Sequence, residues 1–229
     1  MDAWLKWMIG AMLLLATLIF GLLWSIYAYG ASSFPANIEP NTYQASAPIQ
    51  RQYLMVEAGG AREIPKLNPV TVWWHLYRDS GSYDAKHHHS FQLLGQASRI
   101  LQMREPINSS AAQHHANSIA SAVSISRNWS FSDVVNTLIG ESSYGRGAEG
   151  IESASVAYFG VPLDQLRPEE TLALIVLLRG PRYYDPICKH DRFAARYSAY
   201  AAKLNLQSDA GGVAKATSRM LPAPCHSSS

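Results

Sequence analysis

Charge is scarce in this chain. Only 16% of its 229 residues are Asp, Glu, Lys or Arg, and the formal charge of +2 is too small to point to a nucleic-acid partner. Acidic groups are thin through the middle of the chain, where Glu105 is the only glutamate between Ile64 and Gly140. Two cysteines, Cys188 and Cys225, exclude a disulfide-dense scaffold but permit one bridge in an oxidising compartment. No alternating strand pattern of useful length occurs, which excludes a sheet-based core and leaves helices to build it.

One long apolar run is present. Residues 8–29 carry no charge, and ~20 such residues suffice for a helix to cross a bilayer. Trp4, Trp7, Trp24, Tyr27 and Tyr29 flank the run as interfacial anchors do. A cleaved signal peptide would have a shorter apolar core, although Ala28, Tyr29 and Gly30 before Ala31 form a tolerable cleavage site. The length favours an anchor retained in the mature protein, with residues 1–7 cytoplasmic and the remainder outside.

Residues 30–68 lack an apolar period and read as a tether. The dense run over residues 70–77 is compatible with a buried strand or a first helical turn. His87, His88 and His89 invite a metal reading, but adjacent histidines cannot all face one ion from a regular element, so a solvated loop is expected and no metal site. Helical spacing follows over residues 91–103, with Pro106 closing the segment. Ser109 or Ser110 caps the next helix, and Ser130 with Asp133 has the form of a capping box. Pro168, Glu169 and Glu170 open a helix whose interior is apolar all round, the expected centre of the core. Asp191 is expected to cap the last clear helix, and the composition beyond Asp209 suggests a loose tail over residues 209–229.

Most information lies in residues 144–186. They contain YGRGAEGIESASVAYFG, an eleven-residue connection, the apolar helix, and then RGPRYYDP, followed by a basic segment over residues 191–196. The glycines mark a tight loop feeding a helix from about Ala148 to Phe159, stopped by Gly160. The four elements resemble, in order and spacing, the peptidoglycan glycosyltransferases of family 51, whose pattern includes GxGxxGIExAAxxYFG and a [K/R]GPSxYxP turn. The resemblance implies an all-α, lysozyme-like helical domain over residues 69–208 behind one transmembrane helix. It also implies a place on the outer side of a bacterial cytoplasmic membrane and no accompanying transpeptidase domain. The partners it implies are a lipid-linked peptidoglycan precursor or glycan strand, the membrane, and other proteins of cell-wall synthesis. It names no cofactor.

Such enzymes use two carboxylates in distinct environments, one of them a base on the acceptor hydroxyl. The family draws them from EDxxFxxHxG and RKxxE motifs. Counting back from Ser130 places the second motif on His114, His115, Ala116, Asn117 and Ser118, so a serine stands where the glutamate would. The first motif does not occur between Pro69 and Ser90, where Asp79 and Asp84 are the only carboxylates. The expected result is a domain with impaired or lost polymerase activity that still binds its ligand, with a pseudoenzyme that binds only proteins as an alternative. Arg179 and Arg196 are the first candidates for anion contacts, with Arg146, Arg182, His114 and His115 as further ones. Glu141, within Gly-Glu-Ser-Ser-Tyr, also resembles the Glu-Ser signature of lytic transglycosylases, which cleave glycan with one glutamic acid. Its alternatives are that catalytic role and a solvated helix-end carboxylate.

Overall fold

The computed structural model describes residues 3–33, 38–81, 85–104, 110–222 and 225. Asp84, Glu105, Pro106 and Ser109, named above, lie outside them. Among the described residues ten α-helices and one short hairpin form the fold.

Helix α1, Ala3–Ala31, contains the apolar run. Its segment Trp4–Ala31 is long and apolar enough to cross a membrane, with a mean hydropathy of 2.3 over its most apolar 18 residues, none of them buried. Leu23, Ile26, Tyr27 and Gly30, spaced as one helical stripe, are nevertheless partly or fully covered, because the helix end packs on α5. A side chain at Gly30 would place its first carbon 2.1 Å from the carbonyl oxygen of Ala116. Gln113 ties the same junction by donating to the Tyr29 carbonyl at 3.1 Å and to Ser33 Oγ at 2.6 Å.

The stretch that composition marks as a tether contains α2, Ala47–Glu57, which buries Gln52, Tyr53, Val56 and Glu57 against α8. Two of its four buried residues, Gln52 and Glu57, are polar or ionisable, so its inner face carries no apolar period. Residues 70–77 enter α3, Thr71–Gly81. Helix wins over strand because Asn68 Oδ1 accepts the amides of Val70 and Thr71 at 2.9 Å each, and Thr71 Oγ1 accepts from the Asn68 amide. The three histidines are not in a loop, since α4 spans Ala85–Arg104.

Ser110 caps α5, Ala111–Asn128, and the Ser130–Asp133 capping box opens α6, Phe131–Glu141. The loop after it pairs β1, Ser143–Gly145, with β2, Ala148–Glu149, in antiparallel fashion. That pairing delays α7 to Ile151–Phe159, shorter than the periodicity suggests. Gly150 sits at φ 80°, and an added side-chain carbon there would lie 2.2 Å from the Gly140 carbonyl oxygen. Gly150→Ala is therefore expected to cost well over about 1 kcal/mol, since backbone strain adds to a clash with backbone. A melting midpoint equal to the parent's would contradict this.

Helix α8, Pro168–Leu177, is the central helix expected of its sequence, with Leu172 to Leu177 fully buried between α2, α7, α9 and α10. Helix α9, His190–Lys203, starts one residue before Asp191, which is exposed and does not cap it. Asp185 takes the capping role for the preceding turn, accepting from the amides of Ile187 and Cys188 at 2.8 Å. The tail forms a further helix, α10, Ala210–Thr217, capped by Asp209. Val213 and Ala216 are buried, and Lys215 reaches Glu169 on α8 at 2.5 Å. A disulfide joins Cys188 to Cys225 and straps the end of the chain to the α8–α9 connection.

Candidate active site in a groove between α2 and α4

The C-terminal turn of α2, one face of α4 and the turn after α8 enclose a groove of about 640 Å³. Helix α2 supplies Tyr53 and Glu57. Helix α4 supplies an apolar wall of Phe91, Ile100 and Met103 together with Gln92, Gln96 and Arg99. The α8–α9 turn supplies Arg179 and Pro181. Arg99 and Arg179 are exposed, whereas Glu57 is 7% exposed.

Glu57 is the carboxylate of this groove among the described residues, and it lies in the stretch that composition marks as a tether. Arg196 on α9 donates to Glu57 Oε1 from Nη2 at 2.6 Å and to the Val176 carbonyl from Nε at 3.2 Å. Its guanidinium lies 5.1 Å from the ring centres of both Tyr184 and Tyr200, which hold it in place. Burial pushes the Glu57 carboxyl above its ordinary range, against the opposing pull of the Arg196 and Arg179 charges. Tyr53, wholly buried beside it, is driven far up by desolvation and by the Glu57 charge. A signal was available in the sequence: Leu54, Met55 and Val56 run directly into Glu57 before Gly59 and Gly60, an apolar helical turn ending in an acid.

The other candidate residues separate. Arg196 lies beneath the groove wall as the partner of Glu57, while Arg179 lines the groove itself. Arg146 and Arg182 line a second hollow of about 970 Å³ that shares Ser143 and Pro181 with the groove. Arg146 stands at φ 53°, stacks 4.1 Å above the Tyr158 ring and donates to the Leu221 carbonyl at 2.9 Å. His114 and His115 are exposed on α5 and line neither hollow. Ser118 is occupied within the α4–α5 contact, donating to the His114 carbonyl and accepting from Gln102 Nε2, both at 3.0 Å. Glu141 accepts from Arg104 Nε, at 2.5 Å, from Arg104 Nη2, and from the side-chain Nδ2 of Asn41. Three N–H donors, not an apolar wall, surround that carboxylate. Among the described residues no cluster of metal-ligating side chains occurs.

The sequence pattern of the family described as "Transglycosylase" matches residues 93–205, from α4 through α9. The chain carries a transglycosylase domain of glycosyltransferase family 51. It is 35% identical over 89 residues to penicillin-binding protein 1A of Mycobacterium tuberculosis, covering 39% of this chain and 11% of that protein. It is 29% identical over 66 residues to penicillin-binding protein 2a of Streptococcus pneumoniae D39, 29% of this chain and 9% of that protein. It is 43% identical over 42 residues to the biosynthetic peptidoglycan transglycosylase of Nitrosomonas eutropha, 18% of this chain and 17% of that protein. The chain thus spans under a fifth of each of these relatives. Within the transglycosylase domain the match includes Arg99, Arg179 and Arg196 but stops short of α2, so Glu57 enters the site from outside the matched segment.

Proposed function

We propose that this chain is a membrane-anchored domain of cell-wall synthesis that holds a lipid-linked disaccharide or nascent glycan strand in the groove, with polymerase activity impaired or lost. The observation that carries this reading is the groove's charge arrangement. Two exposed arginines, Arg99 and Arg179, face it, and Glu57, its one carboxylate among the described residues, is already paired with Arg196. Arginine suits diphosphate oxygens through paired N–H donors. Arg182, in the adjoining hollow, continues the cationic wall, whereas His114 and His115 lie away from it.

Polymerisation asks for two carboxylates. Glu57 could serve as the leading glutamate of an EDxxFxxHxG motif, but Ala58, Ala61 and Ile64 stand where its aspartate, phenylalanine and histidine would. The second position, by gapless counting, is Ser118, whose hydroxyl is engaged with Gln102 and His114. The anchor is α1, and an orientation with the domain outside the cytoplasm agrees with the Cys188–Cys225 bridge, which oxidising compartments allow to persist.

The test uses the full chain in detergent with fluorescent lipid-linked disaccharide. The parent is expected to bind in the micromolar range and to yield no long strands on a gel. The pair Arg99→Ala with Arg179→Ala is expected to weaken binding about tenfold or more, because each charge-assisted contact is worth about 1.5–3 kcal/mol. Its melting midpoint should stay put, since both side chains are exposed. Long strands, or no binding by the parent at high micromolar ligand, would overturn the reading.

A further inference from the structure

On the N-terminal half of α2, away from the groove, two hollows of about 590 and 350 Å³ meet at Pro48 and Gln52. Neither shares a lining residue with the groove. The first runs toward α7 and the turn after it, where Ile49, Val156 and Leu163 give it an apolar floor. Glu152 and Asp164 stand on its wall, both exposed, and among the described residues neither forms an ion pair. The second hollow has the opposite charge. Arg51 borders it beside Leu204 and Leu206, and Arg51 likewise has no acidic partner among the described residues.

The junction between them lacks a donor. Gln52 is 7% exposed, and its Nε2 donates to the Pro168 carbonyl at 3.0 Å, which fixes the amide's orientation. Its Oε1 then has no hydrogen-bond partner among the described residues. A buried acceptor left unpaired is costly, and such atoms call for an explanation. Pro48, Pro162 and Pro168 line the same hollow and carry no N–H, so the rim offers acceptors and little to satisfy them. The field of Glu152 is felt nearby: burial, with help from that charge, raises the Tyr43 phenol to about 12.

We propose that the two hollows form one docking track for an extended apolar segment of a partner protein, basic at one end and acidic at the other, whose main-chain N–H serves Gln52. An acidic end, an apolar middle with an orphaned acceptor and a basic end specify such an occupant by charge complementarity. An extended segment keeps its N–H groups free to donate, which a helix would not. The inference does not depend on what the groove binds.

The experiment uses the full chain in detergent and terminally blocked, fluorescent peptides in which one lysine and one glutamate flank leucine and proline residues, in both orders. Anisotropy should show micromolar binding for one order. Glu152→Lys with Asp164→Lys should weaken it about tenfold or more, and Arg51→Glu should do the same, as reversal of a complementary charge predicts. Gln52→Glu, which keeps an acceptor, should retain more affinity than Gln52→Leu. All surface variants should keep the parent's melting midpoint and its binding of lipid-linked disaccharide, which separates failure here from failure of the groove reading. No peptide binding below about 1 mM, a limit equivalent to about 4 kcal/mol, would overturn the proposal. Binding indifferent to the charge reversals, or equal for peptides without lysine, would overturn it as well.

Discussion

Arg196→Ala is expected to destabilise the domain by about 3–5 kcal/mol, because it strands the buried Glu57 carboxylate without its guanidinium partner. The pair is well shielded, with side-chain exposures of 14% for Arg196 and 4% for Glu57. The loss should depend on pH in a defined direction. Burial already raises the folded-state Glu57 carboxyl above its unfolded range, against the pull of Arg196 and Arg179. A raised acid binds more protons folded than unfolded, so its contribution to stability falls as pH rises from the unfolded value, about 4.3, through the folded one. Removing Arg196 moves the folded value higher. The difference between variant and parent should therefore be largest near neutrality and shrink toward acid. Adding Glu57→Gln should recover much of the loss, since an amide needs no counter-charge. Denaturant unfolding of the parent and the two variants at two pH values decides it. A pH-independent loss would mean that Arg196 acts through its packing between Tyr184 and Tyr200 instead.

Loss of the Cys188–Cys225 bridge is expected to cost about 4 kcal/mol on the chain-entropy account of a loop of this length. The two residues are 37 apart in sequence. A change of that size corresponds to a fall of roughly 10 °C in melting midpoint for a chain of this length. The effect should be local as well as global. The strap at the chain's end is otherwise held by the Leu221 amide donating to the Tyr158 carbonyl at 2.7 Å and by Arg146 on the Leu221 carbonyl. Cys188→Ser with Cys225→Ser, or reductant on the parent, should speed amide exchange at Leu221 and expose Arg146. Equal melting midpoints with and without reductant would show that the bridge contributes nothing to folding.

Helix identity was legible wherever local signals sufficed. The Ser130–Asp133 capping box, Pro168 with Glu169 and Glu170, and the all-apolar interior of α8 each specify a start or a buried path within a few residues of chain. Expectations failed where the deciding contact lies far away in sequence. Residues 47–57 look like tether because half their buried face is polar, and Gln52 and Glu57 are tolerable there only through Pro168 and Arg196, 116 and 139 residues on. The tail beyond Asp209 looks loose because Gly and Ala carry little apolar area, yet α10 docks through Val213, Ala216 and the Lys215–Glu169 contact. Asp191 matched the residue type of a cap but not its place, since Asp185 had already closed the preceding turn.

By itself, then, the sequence determined the class of the domain, the apolar N-terminal helix, the central helix and the loop into α7, because each rests on periodicity, capping chemistry or spacing that a short stretch carries whole. Only the tertiary structure decided which charged groups meet. It placed Glu57 in the groove and Arg196 beneath it, set Arg179 apart from Arg146 and Arg182, and gave Glu141 to Arg104. The physical reason is that a carboxylate's role depends on burial and on the nearest counter-charge, and both are supplied by residues tens to more than a hundred positions away.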